Sequence, residues 1–364
     1  MKEDRRVRRQ AHFVHFAGFC LVVLVAHRAS AQTAQTGNVF NPNMSVIGNF
    51  LGFVGHNPVD NQPSLQLKES EIGLQAIVDP FARADFFITF GSQKGDVGVE
   101  EGYVTFLTVP GDLLVKVGKM KAAFGKVNTE HPHVRQYADT PLVVTNLLGS
   151  EDGIEDSGIS VSRLIPMPSE IFLEATAQLF RGTSGNLFEA HSRNDVEPLF
   201  HLKAYRDLSE STNLELGGSW TQGNGVQGPG LHTTLAGADL TFRWKPLQQG
   251  LYRSLFVRVE WMQSERQMAD GTTVRADGWY ALGQYQLGRR WFVGYRHDES
   301  DHADDATLRD RGDSAILTFW PSEFSQLRAQ ARRIRYDQPG GPVTANELLV
   351  QLQFVIGAHG AHPF

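Results

Sequence analysis

The chain has 364 residues, 41% of them hydrophobic and 20% charged, with 36 glycines and a formal net charge of −6. An acidic, glycine-rich chain of modest hydrophobicity is not a nucleic-acid binder by charge, and one cysteine, Cys20, excludes a disulfide framework. The size suits two ordinary domains or one large β-barrel; no Pro/Ser-rich linker or short-period repeat divides it, which favours one domain.

Residues 1–31 open with Lys2, Arg5, Arg6, Arg8 and Arg9, continue through an apolar run from Phe13 to Ala26, and close on Ala29-Ser30-Ala31. That order predicts a secretory signal peptide, with Gln32 as the first mature residue. The apolar run is broken by His15 and too short for a spanning helix of about 20 residues. Arg5-Arg6 lacks the rest of a twin-arginine pattern, and Phe19 stands where a lipoprotein site before Cys20 needs a small residue. Removing the six basic and two acidic side chains of this segment takes the formal charge from −6 to −10, and Cys20 leaves with it. A short periplasmic segment, 32–44, is expected next.

From residue 45 the chain reads as strands. They are expected at 45–54, 65–78, 82–90, 97–109, 113–121, 158–165, 170–180 and 199–207, then at 212–222, 232–244, 254–266, 274–286, 290–298, 312–320, 324–336 and 345–357. Short connections such as Asp79-Pro80-Phe81 and Pro110-Gly111-Asp112 alternate with longer polar ones. About sixteen strands with alternating connection lengths point to a transmembrane antiparallel barrel, long loops outside and short turns in the periplasm. Residues 358–364 form a tail beyond it.

Within strands the apolar residues keep one parity. Leu255, Val257, Val259 and Trp261 alternate with Phe256, Arg258, Glu260 and Met262, and Leu327, Ala329 and Ala331 alternate with Arg328, Gln330 and Arg332. Periodicity alone does not separate a soluble sandwich from a barrel. Charge in mid-strand on the polar face does, because that face lines water inside a barrel while the other meets lipid. Phe81, Trp244, Trp291, Trp320 and Phe324 stand beside short turns, as an interfacial aromatic belt would. In the last strand Val350, Leu352, Phe354 and Ile356 face one way, and Leu349, Gln351, Gln353 and Val355 the other.

The stretches "GLQAIVDPFARADFFITFG" and "VEEGYVTFLTVPGDLLVKVGKMKAAFGKVN", between Gly73 and Asn128, resemble the phosphate-selective porin family (types O and P) and related outer-membrane porin-like proteins. The resemblance implies passive diffusion of small hydrophilic solutes or ions, with a preference for phosphate-like anions. It also implies a homotrimer in outer-membrane lipid and lipopolysaccharide, a closing strand read by the barrel assembly machinery, and no cofactor or catalytic residue. It further implies that the third exterior loop folds into the lumen and narrows it.

That loop is the longest, 122–157, and a turn or two of helix is expected at 139–148 after an aspartate cap. Lys116, Lys119, Lys121, Lys126 and Arg135 make its start basic, and Lys203, Arg243, Arg258, Arg328 and Arg332 are candidates for the facing wall. A ring of such residues favours anions by focusing the field in a narrow pore. Glu71, Asp85, Glu101, Glu174, Asp239 and Glu260 are expected on the same lumen face and oppose it. His131 and His133, beside Glu130, are weak metal-ligand candidates. The acidic stretch His297 to Asp305 reads as an exterior loop. Competing readings are a barrel enzyme of phospholipase or protease type, testable at His201 and His232, a structural barrel with a plugged lumen, and a soluble periplasmic β-protein. A ligand-gated receptor needs about 22 strands and a plug domain, for which the chain is too short.

Overall fold

The computed structural model describes residues 42–60, 62–91, 97–168 and 170–357. The expected signal peptide, the segment that follows it as far as residue 41, and the tail 358–364 lie outside the described residues. The first eight strands are β1 (Asn43–His56), β2 (Leu65–Asp79), β3 (Ala82–Gly91), β4 (Val97–Val109), β5 (Leu113–Lys121), β6 (Glu155–Pro166), β7 (Ile171–Phe180) and β8 (Glu197–Ser209). The second eight are β9 (Thr212–Asn224), β10 (His232–Trp244), β11 (Leu255–Gln267), β12 (Thr273–Gly288), β13 (Trp291–His302), β14 (Asp305–Ser322), β15 (Ser325–Tyr336) and β16 (Val343–Gly357). Each pairs antiparallel with its sequence neighbours, and β16 returns to β1 with Ser45 opposite Gly357 and His56 opposite Asn346. The barrel is closed and all sixteen expected strands are in it.

The two parities face two media. In β16, Leu349, Gln351, Gln353 and Val355 are buried, while Val350, Leu352, Phe354 and Ile356 are exposed. In β11 Arg258, Glu260, Met262 and Ser264 point inward. Phe50, Leu67, Phe86, Leu179, Phe200, Leu216, Leu317 and Leu327 are exposed outside. An apolar exterior around a polar interior suits lipid outside, and closure leaves no unpaired sheet edge there.

Four expectations are corrected in detail. Connection lengths do not alternate strictly: residues 303–304 alone join β13 to β14, while 245–254 join β10 to β11. The acidic stretch from His297 is strand rather than loop, because β14 supplies its counter-charges. Arg309 lies 3.0 Å from Asp277 and 3.3 Å from Asp301, Arg311 lies 3.4 Å from Glu299, and His297 Nδ1 lies 2.8 Å from Asp313; such cross-strand pairs hold a ladder together. The helix, α1 (Leu142–Leu148), has the extended Pro141 at its N-cap rather than Asp139, and the Leu142 N–H donates instead to Asp298 of β13 at 3.3 Å. Of the aromatic belt, Phe81 and Trp291 are exposed, whereas Trp244, Trp320 and the exposed Phe324 border the interior cavity.

Candidate functional site

The chain between β5 and β6 runs inside the barrel, and its path is set by buried polar groups on the wall. Ala123 N–H donates to Gln178 (2.7 Å), Gly125 N–H to Ser219 Oγ (2.8 Å), and the N–H groups of Lys126 and Val127 to the Glu260 carboxylate (2.8 and 3.2 Å). Gly125 has φ +60, and a Cβ there would collide with Glu260 Oε1, so both its backbone and its neighbour demand glycine. Arg258 then grips Glu130 through two hydrogen bonds of 2.7 Å. Two 3-10 turns, Val127–Thr129 and Pro132–Val134, flank Glu130.

Further along, Arg328 donates to the carbonyls of Arg135 and Tyr137, both at 2.8 Å, and Gln353 to that of His133 at 3.0 Å. Asp139 receives Gln330 Nε2 at 2.6 Å and lies 3.0 Å from both Arg296 and Arg332. Burial alone would raise the Asp139 pKa, but the two guanidiniums outweigh it and hold the group at about 2. After α1, whose C-cap Gly149 is left-handed at φ 76, Ile154 N–H returns to Asn128 Oδ1 at 2.7 Å.

A seven-residue helix is not stable alone. α1 survives by packing against β11, β12 and β13. Val143, Val144, Leu147 and Leu148, with Phe124, Val127, Tyr137 and Ile154, are buried against Leu235, Met262, Tyr280, Leu282 and Ile316 of the inner wall. Each such side chain is worth about 1.5–3 kcal/mol when fully buried, so the loop is fastened by an apolar seam as well as by ion pairs. Between the loop and the short turns lies a cavity of about 760 Å³. Arg135, Arg243, Lys245, Arg258, Arg289, Arg290 and Arg328 line it, together with Glu130 and Glu323.

The sixteen-stranded antiparallel barrel recurs in solved structures. An anion-selective porin from Comamonas acidovorans superposes with a TM-score of 0.60 at 10% identity, covering 86% of this chain and 99% of the other. OmpF of Salmonella typhi gives 0.58 at 9% identity, covering 88% and 99%. OmpT, an outer membrane protein of Vibrio cholerae in its trimer form, gives 0.54 at 12% identity, covering 87% and 100%. The fold is that of the outer-membrane porins. No protein-family model matches the chain, so the narrower likeness to phosphate-selective porins is not supported. In sequence the chain is 28% identical over 344 residues to an uncharacterized protein of Aquifex aeolicus, covering 85% of this chain and 72% of the other.

Within this porin fold Lys119 falls outside the expected set, because it shares the outward parity of Val117 on β5; the other expected basic residues are distributed around the lumen, most of them with a carboxylate partner. Lys119 lies 2.6 Å from Glu155, Lys121 2.7 Å from Glu100, Lys203 2.8 Å from Glu174 and Arg243 3.7 Å from Glu215. Lys126 pairs with Glu215, Arg258 with Glu130, and Arg332 with both Asp139 and Glu347. Lys116 stacks its ammonium 4.6 Å from the centre of the Tyr103 ring. Arg135 and Arg328 have no carboxylate partner among the described residues, and the guanidinium of each donates to backbone carbonyls. An unbroken ring of positive charge does not form, because acids and bases share the inward face of neighbouring strands.

His131 and His133 are drawn inward rather than solvated. His131 Nδ1 is 3.0 Å from Glu71 and 3.3 Å from Glu100, and His133 Nδ1 is 3.7 Å from Glu71. Burial alone would lower the His131 pKa, but the Glu100 and Glu71 carboxylates outweigh it and hold the group up at about 10. Of the strand histidines, His232 is exposed. His201 Nδ1 lies 2.8 Å from Ser219 Oγ, which also accepts the Gly125 N–H. That serine anchors the loop, and His201 has no carboxylate in ion-pair range among the described residues. Sequence reasoning missed Asp139, Arg296 and Gln330 as anchors. The alternation that placed Asp298 in a strand also put Arg296 on the same face, so that signal was available.

Proposed function

We propose that the chain is a passive outer-membrane diffusion channel for small hydrophilic solutes, narrowed by the inward loop and preferring anions on its periplasmic side. One observation carries the preference. Most lumen cations are paired, whereas Arg135, Lys245, Arg289, Arg290 and Arg328 reach the cavity on the short-turn side without an ion-pair partner among the described residues. Uncompensated cations in a narrow, low-dielectric passage raise the local anion concentration. The likeness to an anion-selective porin of Comamonas acidovorans supports this reading, and the trimer form of Vibrio cholerae OmpT supports a homotrimer. Outer-membrane lipid, lipopolysaccharide and the barrel assembly machinery are the partners this reading requires. A non-enzymatic role fits a lumen whose Ser219–His201 pair is committed to holding the loop.

The test is single-channel conductance of the refolded mature protein in a planar bilayer under a salt gradient. Discrete conductance steps with an anion-selective reversal potential are expected, and a cation-selective potential overturns the preference. A second reading rests on the apolar seam around α1, which fills lumen that an open pore leaves to water. A folded, heat-modifiable barrel without conductance would select it, as a structural barrel with a plugged lumen.

A further inference from the structure

We propose that Glu71, His131 and His133 form a binding site for a divalent transition-metal ion that fastens the inward loop to the barrel wall. The site does not depend on whether the lumen conducts. Glu71 projects from β2, and the two histidines flank Pro132 in a 3-10 turn of the loop. One ligand atom from each lies within 4.8 Å of the others. Two imidazole nitrogens approach the same oxygen, Glu71 Oε2, at 3.0 and 3.7 Å. Metal bonds of about 2.0–2.1 Å at tetrahedral angles place neighbouring ligand atoms about 3.3 Å apart. The observed separations bracket that spacing, so an ion needs only small side-chain adjustments to enter.

A second observation concerns satisfaction. Glu71 is 2% exposed, and although His131 lies 3.0 Å from it and Lys121 2.7 Å from Glu100, none of these ion pairs is aligned as a hydrogen bond to either carboxylate. Buried carboxylates without donors are costly and call for a partner. Glu69, Glu71 and Glu100 also crowd one another within 4.8 Å, with Lys121 2.7 Å from Glu100. Lys121 and the proton on His131 offset part of this charge, and a dication entering the cluster displaces that proton and takes over its share. Two imidazoles and a carboxylate suit zinc, nickel or cobalt better than calcium or magnesium, which prefer all-oxygen sites. The fourth position falls to Glu100, 3.3 Å from His131 Nδ1, or to water.

The surroundings hold the ligands ready. Gln353 fixes the His133 carbonyl at 3.0 Å, and the Phe87 ring lies 4.8 Å from that of His131, shielding one side. Supporting contacts of this kind orient metal ligands. Once bound, the ion ties the loop to β2, three strands round the wall from β15, where Arg332 and Gln330 hold Asp139.

The experiment uses the untagged, refolded mature barrel, stripped with a chelator and titrated with Co²⁺ while visible absorption is read. Zn²⁺ binding is measured by calorimetry. The expected result is one ion per chain with a visible cobalt band, and affinity lowered more than about 100-fold in Glu71→Gln and in His133→Asn. That exceeds the 10–100-fold typical of losing a merely supporting contact. His359 and His362 remain in every protein compared, so binding there appears equally in all. Heat-modifiable migration confirms that each variant is folded. A folded wild-type barrel that takes up neither ion, or binds no more tightly than both variants, overturns the proposal.

Discussion

Replacing Asp139 by asparagine tests whether ion pairs hold the loop across the lumen. Asp139 lies 3.0 Å from Arg296 and from Arg332 and accepts Gln330 at 2.6 Å. Removing one partner of a buried pair costs about 3–5 kcal/mol. Arg296 keeps Asp298 at 2.8 Å and Arg332 keeps Glu347 at 2.7 Å, which places the loss at the lower end, about 3 kcal/mol. At about 1.4 kcal/mol per tenfold, the balance between docked and undocked loop shifts roughly a hundredfold. The segment carrying Tyr137 and Asp139 then leaves the wall often enough to be seen, while Glu130 on Arg258 and the α1 seam still hold its flanks. Planar-bilayer recordings of Asp139→Asn are expected to show flicker to a larger conductance state and a reversal potential moved toward anions, since Arg296 and Arg332 lose a shared counter-charge. A folded variant with wild-type conductance, noise and selectivity refutes the idea that Asp139 clamps the loop.

The same clamp sets a pH dependence. The carboxyl is held at about 2 against an ordinary 3.8, so its stabilisation is fully present above the ordinary carboxylate range and is lost as pH falls through about 2. The difference between wild type and Asp139→Asn in conductance noise should persist at pH 4 and vanish only near pH 2. Charge reversal at Arg289 and Arg290 together should move the reversal potential toward cations, with little change in heat-modification temperature, because both side chains are exposed at a turn. Gly125→Ala forces a left-handed residue to carry a Cβ against Glu260. A loss of about 1–3 kcal/mol is expected, seen as a lower heat-modification midpoint on gels, and an unchanged midpoint would contradict the close approach.

What the sequence determined by itself is the barrel. A strand shows its two faces with period two, so Leu327-Arg328-Ala329-Gln330 already separates a lipid side from a lumen side, and sixteen such segments leave closure as the way to bury their edges. Even the missed strand ends around His297 carry a local clue, because Arg309 and Arg311 wait on the next strand. The site is different. That His131 meets Glu71, that Asp139 serves Arg296 and Arg332 instead of capping a helix, and that Arg328 ends on backbone carbonyls follow from where the loop crosses the lumen. No local propensity encodes that path. It is set by side chains far apart in the chain, brought to one place only after the ring closes, and by the cost of leaving buried charges and loop N–H groups unpaired in a space that the barrel itself creates.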